Sequence, residues 1–339
     1  MRIGIAFDLK PDCPPPADAP DDLHEEFDAP VTVRAIGDVL RGLGHEVREL
    51  GDGRSFLEAV LRDPPDLVFN FAEGTGVSRS REARVPAVCE MLDIPYTGSD
   101  PLALAVALDK DMTRRVAEAA GVTVPKGFTL TFPHGPYDGD HAEFPPMLEA
   151  TGLPLPVIAK PTCEGSSKGI RNRCLIRSAE EFGPTVLGLW HDYKQPVLVE
   201  EFISGDEVTA GIVGNDPPHV LGVMRMVPKQ PGPFVYSLEV KRDWQSRVEY
   251  ECPARLPLAV VHRIEEAALT VFGALGCRDV ARVDFRVRDG VPYFLEINPL
   301  PGLSPESGDL VFLAERVGVS HAELVRQIVE AATARCGVV

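Results

Sequence analysis

Two short apolar segments near the end of the chain, Ala281-Arg282-Val283-Asp284-Phe285 and Phe294-Leu295-Glu296-Ile297-Asn298, flank the turn-forming Arg288-Asp289-Gly290. The pattern reads as a β-hairpin, and it constrains the fold because its apolar residues need a core while its polar ones gather four chemically active groups. Side chains two residues apart share a face, so Arg282 goes with Asp284 and Glu296 with Asn298. A strict two-residue Asp289-Gly290 turn would put Asp284 and Glu296 on opposite faces. A three-residue loop or a bulge brings them together, so an irregularity is expected. Asp284, Glu296 and Asn298 are candidate metal ligands, since Mg2+ takes oxygen donors and phosphoryl chemistry needs that charge beside its phosphates. The Arg282 guanidinium suits an anionic substrate or a developing oxyanion. Pro299-Leu300-Pro301-Gly302 then fixes the strand end.

The N-terminal hundred residues follow a different pattern. Residues 2–7 read as a buried strand, 31–43 as a helix ended by Gly44, 45–50 as a strand, 54–62 as a helix, and 66–71 as a strand. This alternation predicts a parallel sheet with right-handed crossovers. Between its first strand and first helix lies a Pro- and Asp-rich loop, residues 8–30, that reads as too polar for a core. Helical patterning over 84–92 leads to a boundary near residue 100, giving expected domains 1–100, 101–200 and 201–339. Helices are expected at 101–107 and 109–120, the second capped by Asp109. Residues 132–156 read as an excursion, 157–160 and 196–201 as strands, and 208–213 with 220–227 as antiparallel strands. The long polar stretch 228–256 reads as a lid. Helices near 257–275, 309–317 and 320–335 close the chain.

At 339 residues there is length for two or three domains, and the formal net charge of −17 disfavours nucleic acid or an anionic membrane as partner. No stretch reads as a signal peptide or a membrane span. Seven scattered cysteines without a CxxC pair suit reduced thiols in a cytoplasm. Cys163, inside a candidate ligand loop, reads as a small core residue with some scope for reactivity.

That loop, Glu164-Gly165-Ser166-Ser167-Lys168-Gly169, follows a strand and is a candidate phosphate clasp, with backbone N–H groups and the Ser166 and Ser167 hydroxyls as donors. It matches neither a Walker loop nor GxGxxG. Lys160, on the preceding strand, calls for an anion such as phosphate. In Val197-Leu198-Val199-Glu200-Glu201-Phe202-Ile203, backbone groups can meet a base edge, with Glu200 or Glu207 accepting from an exocyclic amine or ribose hydroxyls.

Together these segments resemble the ATP-grasp superfamily, and within it the D-alanine–D-alanine ligases. Ile94-Pro95-Tyr96-Thr97-Gly98, Asp109-Lys110, Lys160-Pro161 through Gly165-Ser166-Ser167, Glu200-Glu201-Phe202 with Gly205 to Thr209, Glu239-Val240-Lys241, Cys252-Pro253-Ala254, Arg282-Val283-Asp284, Glu296-Ile297-Asn298 and Pro301-Gly302 before Ser307 resemble that family's motifs in order. The resemblance implies α/β and α+β architecture: an N-terminal parallel α/β domain, then a two-lobed ATP-grasp fold. It implies an ADP-forming carboxylate–amine ligase that joins two amino acids through an acyl phosphate, a step of peptidoglycan biosynthesis. ATP and two Mg2+ ions, with Mn2+ as an alternative, would be its cofactors. Lys110, Lys160, Ser167 and Lys241 would meet the phosphates, and Glu200, Glu201, Ile203 and Glu207 the adenosine. Asp284, Glu296 and Asn298 would bind metal. Arg282 and the Gly302 amide would stabilise the oxyanion. Ser166, Ser307, Gly308 and Arg242 would orient the amino acids, and Glu25 is the positional match for an amine-binding glutamate. A cytoplasmic homodimer acting on small molecules is expected.

The departures cluster on the amino-acid side. Pro11–Pro30 replaces a Gly-rich first loop, and Phe71 to Arg81 replaces a His-Gly…Gly-Glu-Asp-Gly segment. Arg242 stands where a tyrosine is usual, and Ser304-Pro305-Glu306 precedes the second serine. Arg79, Arg81 and Arg242 suggest a substrate with an additional carboxylate, and hence a sister ligase of specialised metabolism as the alternative. A nucleotide-binding protein without ligase activity is a further class, and the retained lysines, Arg282 and metal-ligand candidates argue against it. A dinucleotide-dependent oxidoreductase is disfavoured by the missing Gly-rich fingerprint.

Overall fold

The computed structural model describes residues 1–132 and 143–338. Its first unit is the expected parallel sheet. Strands β1 (Arg2–Ala6), β2 (Glu46–Gly51) and β3 (Leu67–Asn70) lie in the order β2-β1-β3, joined through helices α1 (Pro30–Gly42) and α2 (Gly53–Arg62) and followed by α3 (Arg84–Met91). Central strands covered on both faces need apolar residues throughout, and Ile3, Ile5, Leu67 and Phe69 are buried. Gly44, at φ +88°, ends α1 where a side chain would strain the left-handed turn.

Helices α4 (Pro101–Leu108) and α5 (Lys110–Ala119) follow. Asp109 caps α5 as expected, its carboxylate accepting from the Met112 amide at 3.1 Å. A four-stranded sheet then forms from β4 (Gly127–Leu130), β5 (Val157–Pro161), β6 (Leu175–Ile176) and β7 (Val197–Glu201), in the order β4-β7-β5-β6. Helices α6 (Phe144–Ala150) and α7 (Ala179–Tyr193) pack on it through Phe144, Phe182, Val186 and Leu189. The excursion expected at 132–156 thus contains a helix, and residues 133–142 lie outside the described residues.

A five-stranded sheet completes the fold. It contains β8 (Asp206–Val213), β9 (His219–Pro228), β10 (Val248–Glu251), β11 (Val280–Arg288) and β12 (Val291–Asn298), in the order β10-β9-β8-β11-β12. Helix α10 (Leu258–Ala274) covers it, and Ile264, Val271, Val283, Phe285 and Phe294 share one core. Ala107 and Ala117 belong to that same core, so α4 and α5, although they follow residue 100, pack on the C-terminal sheet. Helices α11 (Asp309–Arg316) and α12 (His321–Cys336) return to the N-terminal sheet, where Leu310, Leu324 and Ile328 meet Ile3, Ile36 and Leu67. The stretch 228–256 carries two short helices, α8 (Leu238–Arg242) and α9 (Trp244–Arg247), and strand β10, so it is an ordered flap over the sheet. No described helix is long and apolar enough to cross a membrane.

Candidate active site

The β11–β12 hairpin has the expected irregularity, placed in the strand and not in the turn. Asp289 and Gly290, at φ +54° and +77°, form a two-residue turn between the paired Arg288 and Val291. The register then shifts: Phe285 pairs with Phe294, but Asp284 pairs with Glu296. Leu295 is the additional residue, so a bulge turns Glu296 away from the face that a regular ladder would give it. Phe285 and Phe294 stay in the core, rings edge to face at 6.0 Å. Arg282 pairs with Asn298 in register; Arg282 and Glu296 line both of two adjoining clefts, Asn298 the first and Asp284 the second.

Charges there are closely matched. Arg282 Nη2 lies 2.8 Å from Asp284 Oδ2 and 4.0 Å from Glu296 Oε1, and its Nη1 lies 3.6 Å from Asp309 Oδ2. Lys110 Nζ lies 3.1 Å from Glu296 Oε2. Asn298 Nδ2 donates to Asp284 at 3.4 Å, and the Thr209 hydroxyl does so at 2.6 Å. Burial disfavours charge on Glu296, but Lys110, Arg282 and Lys160 outweigh it and hold its carboxyl down at about 2. Burial pushes the Asp284 carboxyl up, against the pull of Arg282.

The loop after β5 bends sharply. Ser166 and Ser167 adopt φ +49° and +59°, a left-handed conformation that non-glycine residues hold at a cost of about 1–3 kcal/mol each. Ser167 Oγ donates to the Tyr236 carbonyl of the flap at 3.3 Å. Glu164 and Lys168 are buried and pair at 2.6 Å. Cys163 is buried, and burial raises its thiol, so it is an inert core residue.

A second cleft adjoins the first, lined by Lys160, Ser167, Glu200, Glu201, Ile203 and Glu207. Lys160 pairs with Glu200 at 2.6 Å, Glu207 with Arg286 at 2.7 Å and Glu201 with Arg288 at 3.4 Å. Apolar Ile158, Ile170, Met226 and Val235 share the lining, so the cleft combines apolar surface with polar groups. Lys241 of α8 borders both clefts and has no ion-pair partner among the described residues.

The first cleft, about 430 Å³, is lined by Ser166, Gly302, Ser307 and Gly308 opposite the loop that follows β1. That loop is solvated as expected over residues 9–14 and 16–18, but its second half turns inward. Asp22 and Glu26 are buried within the protein. Glu26 lies 2.7 Å from Arg81 and 3.0 Å from Lys168, and it accepts from the Gly165 amide. Asp22 accepts from Tyr193 and Gly169. Glu25 also lines the cleft, but its carboxylate is engaged by Arg242 at 2.8 Å and Lys10 at 3.8 Å. Glu26, one residue on, is the glutamate tied to the serine loop.

The three arginines expected to meet an additional substrate carboxylate are likewise engaged by the protein. Arg79 pairs with Asp109 at 2.9 Å, Arg81 with Glu26 and Glu164, and Arg242 with Asp21 and Glu25. The grounds for an acidic substrate therefore fall away. Sequence reasoning passed over Asp309, which lies near Arg282 and accepts from the Tyr236 and Tyr250 hydroxyls at 3.2 and 3.3 Å. Its local signal, an acid in the first turn of α11, resembles any helix start.

Comparison with known proteins agrees with this geometry. Residues 118–330 match the family described as D-ala D-ala ligase C-terminus. The chain is 33% identical over 299 residues to the D-alanine–D-alanine ligase of Aquifex aeolicus, covering 88% of this chain and 93% of that one. It is 34% identical over 311 residues to that of Gluconobacter oxydans, covering 90% and 94%. A crystal structure of the Bacillus anthracis D-alanine–D-alanine ligase complexed with ATP superposes with a TM-score of 0.71 at 20% identity, covering 99% of each chain. Hairpin, strained serine loop and matched sequence span coincide, and the chain belongs to the D-alanine–D-alanine ligase family of ATP-dependent, ADP-forming ligases.

Proposed function

We propose that this enzyme activates the carboxylate of one amino acid with ATP and couples it to the amine of a second, with D-alanine, named for its relatives, as the reference substrate. The observation that carries the reading is the Leu295 bulge, which sets Asp284 beside Glu296 within reach of Lys110 and Arg282. A carboxylate resists an amine nucleophile because it is already anionic. Transfer of the γ-phosphoryl group gives an acyl phosphate and ADP; the amine then attacks, loses a proton, and expels phosphate.

Lys110, Lys160 and Lys241 offset phosphate charge, with the Ser167 hydroxyl as a further donor. Glu200, Glu201, Ile203 and Glu207 hold adenosine in the second cleft. Ser166, Ser307 and Gly308 orient the amino acids, with Arg242 and Glu25 paired to each other at the rim of the same cleft, while Glu26, engaged by Arg81, Lys168 and the Gly165 amide, braces the serine loop. Arg282 and the Gly302 amide stabilise the tetrahedral oxyanion. The donor set of two carboxylates and a carboxamide suits Mg2+, or Mn2+, held by Asp284, Glu296 and Asn298. Arg282 and Lys110 already offset those carboxylates, so a divalent ion would be held weakly until a nucleotide added its own negative charge. A bound divalent ion would offset charge on the transferring phosphoryl group. The flap at 228–251 excludes water, which would otherwise hydrolyse the acyl phosphate.

A cytoplasmic homodimer belongs to the same proposal. All seven cysteines are free thiols, and Leu57, Leu61, Met91 and Leu102 expose apolar surface of the kind a second copy covers. Sedimentation measures the oligomeric state. The reaction is tested by ADP release across D- and L-amino acids, singly and in pairs, with mass spectrometry of the product. Absence of amino-acid-dependent ADP release would overturn the assignment.

A further inference from the structure

The amino-acid cleft contains more carboxylates than the protein neutralises. Glu25, Glu26 and Glu164 each have cationic partners, as described. Asp28, Glu73 and Glu82 line the same cleft, and none has a cation within ion-pair distance among the described residues. Glu82 is only 7% exposed, and no N–H, hydroxyl or cationic donor of the described residues reaches its carboxyl, which lines the cleft with Glu73. Arg81 precedes it in sequence, but that guanidinium is spent on Glu26, Glu164 and the Cys163 carbonyl.

The position of this group points independently to a ligand. Glu73 follows β3, and Asp28 is tied to the end of β1, its amide donating to the Asp8 carbonyl at 3.0 Å. In the order β2-β1-β3, the carboxyl ends of β1 and β3 flank the switch point of the sheet, where ligands of open α/β sheets bind. Burying carboxyls together without counter-charge is costly, and a bound cation would relieve that cost. Ser166, Arg282 and Gly302 line the same continuous cleft, so one molecule can reach both the reacting centre and this wall.

The geometry points to a substrate amino acid that carries a second cationic group, a diamino acid in chemical class, with Glu73 and Glu82 receiving its side-chain ammonium and Asp28 close by. This rests on the ligase reading above and specifies its substrate. Burial raises the Glu82 carboxyl to about 7, with Glu26 adding to the effect and Arg81, Lys110 and Glu73 opposing it. Burial, Glu82, Glu26 and Asp28 raise Glu73 while Arg81 opposes them. The pair therefore holds a proton near neutrality, and an arriving ammonium displaces it.

Two measurements test this. ADP release is compared for alanine, 2,3-diaminopropionate, 2,4-diaminobutyrate, ornithine and lysine, in D and L forms, with wild type, Glu82→Gln and Glu73→Gln. The expected result is a kcat/KM at least tenfold higher for one diamino acid than for alanine. Each variant should remove that preference while leaving KM for ATP unchanged. Calorimetry of wild type with that diamino acid at pH 7, in buffers of different ionisation enthalpy, should show net proton release. Equal turnover of alanine and every diamino acid, or a preference that survives both substitutions, overturns the assignment and leaves the ligase reading intact. Binding without proton release also overturns it. No ADP release with any amino acid overturns both readings together.

Discussion

Lys110 Nζ lies 3.1 Å from Glu296 Oε2 and also donates to the Glu164 carbonyl, so one ammonium joins helix α5, strand β12 and the serine loop. The side chains are 6% and 22% exposed, so solvent screens the pair only in part. Glu296→Gln keeps the volume and an acceptor for Lys110 but removes the charge that a divalent ion needs. ADP release should fall by about 10²–10³-fold or more, with an unchanged circular dichroism spectrum; activity near wild type would remove Glu296 from the metal site. The variant also has a pH signature. The Glu296 carboxyl sits at about 2 against an ordinary 4.5, so its stabilisation is present above 4.5 and is lost as pH falls toward 2. Wild type should therefore lose more stability than Glu296→Gln over that interval.

Glu26→Gln should be structurally more damaging than Glu25→Gln, although the two residues are neighbours. Glu26 closes contacts with Arg81, Lys168 and the Gly165 amide, and the Glu26, Arg81 and Lys168 side chains are all buried. Removing one member of such a network leaves its cations undercompensated and costs about 3–5 kcal/mol. Glu25 pairs with an Arg242 side chain that is 37% exposed, a contact worth about 1 kcal/mol or less. Urea unfolding of the two variants checks the order, and a reversed order would contradict the placement of the loop.

How much of this was legible follows from where the physics is local. The hairpin turn and the need for an irregularity follow from residue spacing, because strand faces alternate with period two. That the irregularity is Leu295, and not an altered turn, depends on Phe285 and Phe294 claiming the core together. The 8–30 loop reads as solvated because its acids outnumber its apolar residues. The burial of its Asp22 and Glu26 depends on Arg81, Lys168 and Arg171, which are distant in sequence and supply the counter-charges. The same distance hides the engagement of Arg79, Arg81 and Arg242 by acids of the protein. Strands β4 and β6 are too short to show a period, and they form because β7 and β5 offer edges to pair with.

Gly205→Ala should be poorly tolerated far from the reacting centre. Gly205 has φ +120°, and a Cβ there would lie 2.0 Å from the Val287 carbonyl oxygen, inside any van der Waals contact. The same glycine's carbonyl accepts from Arg286 at 3.0 Å, so relief by backbone movement disturbs the Arg286–Glu207 pair. A cost of about 3 kcal/mol is expected, with KM for ATP raised because Glu207 lines the cleft proposed for the nucleotide. Thermal unfolding and ATP titration of the variant measure the two effects, and a melting temperature equal to wild type would contradict the tight turn.

Glu82→Gln should stabilise the free protein selectively at high pH. The Glu82 carboxyl sits at about 7 against an ordinary 4.5, with burial the largest cause. A carboxyl raised on folding binds more protons in the native state than in the unfolded chain, so stability is highest below 4.5 and declines as pH rises through about 7. Gln has no charge to bury and is exempt from that decline. Below pH 4.5 the two proteins should therefore differ little, because wild-type Glu82 is protonated in both states. By pH 8 the variant should melt several degrees higher, while a diamino acid that stabilises wild type through this wall should stabilise the variant less. Melting curves at pH 5, 6, 7 and 8, with and without ligand, separate these effects. A melting-temperature difference independent of pH would mean that Glu82 is ionised throughout and has a counter-charge already.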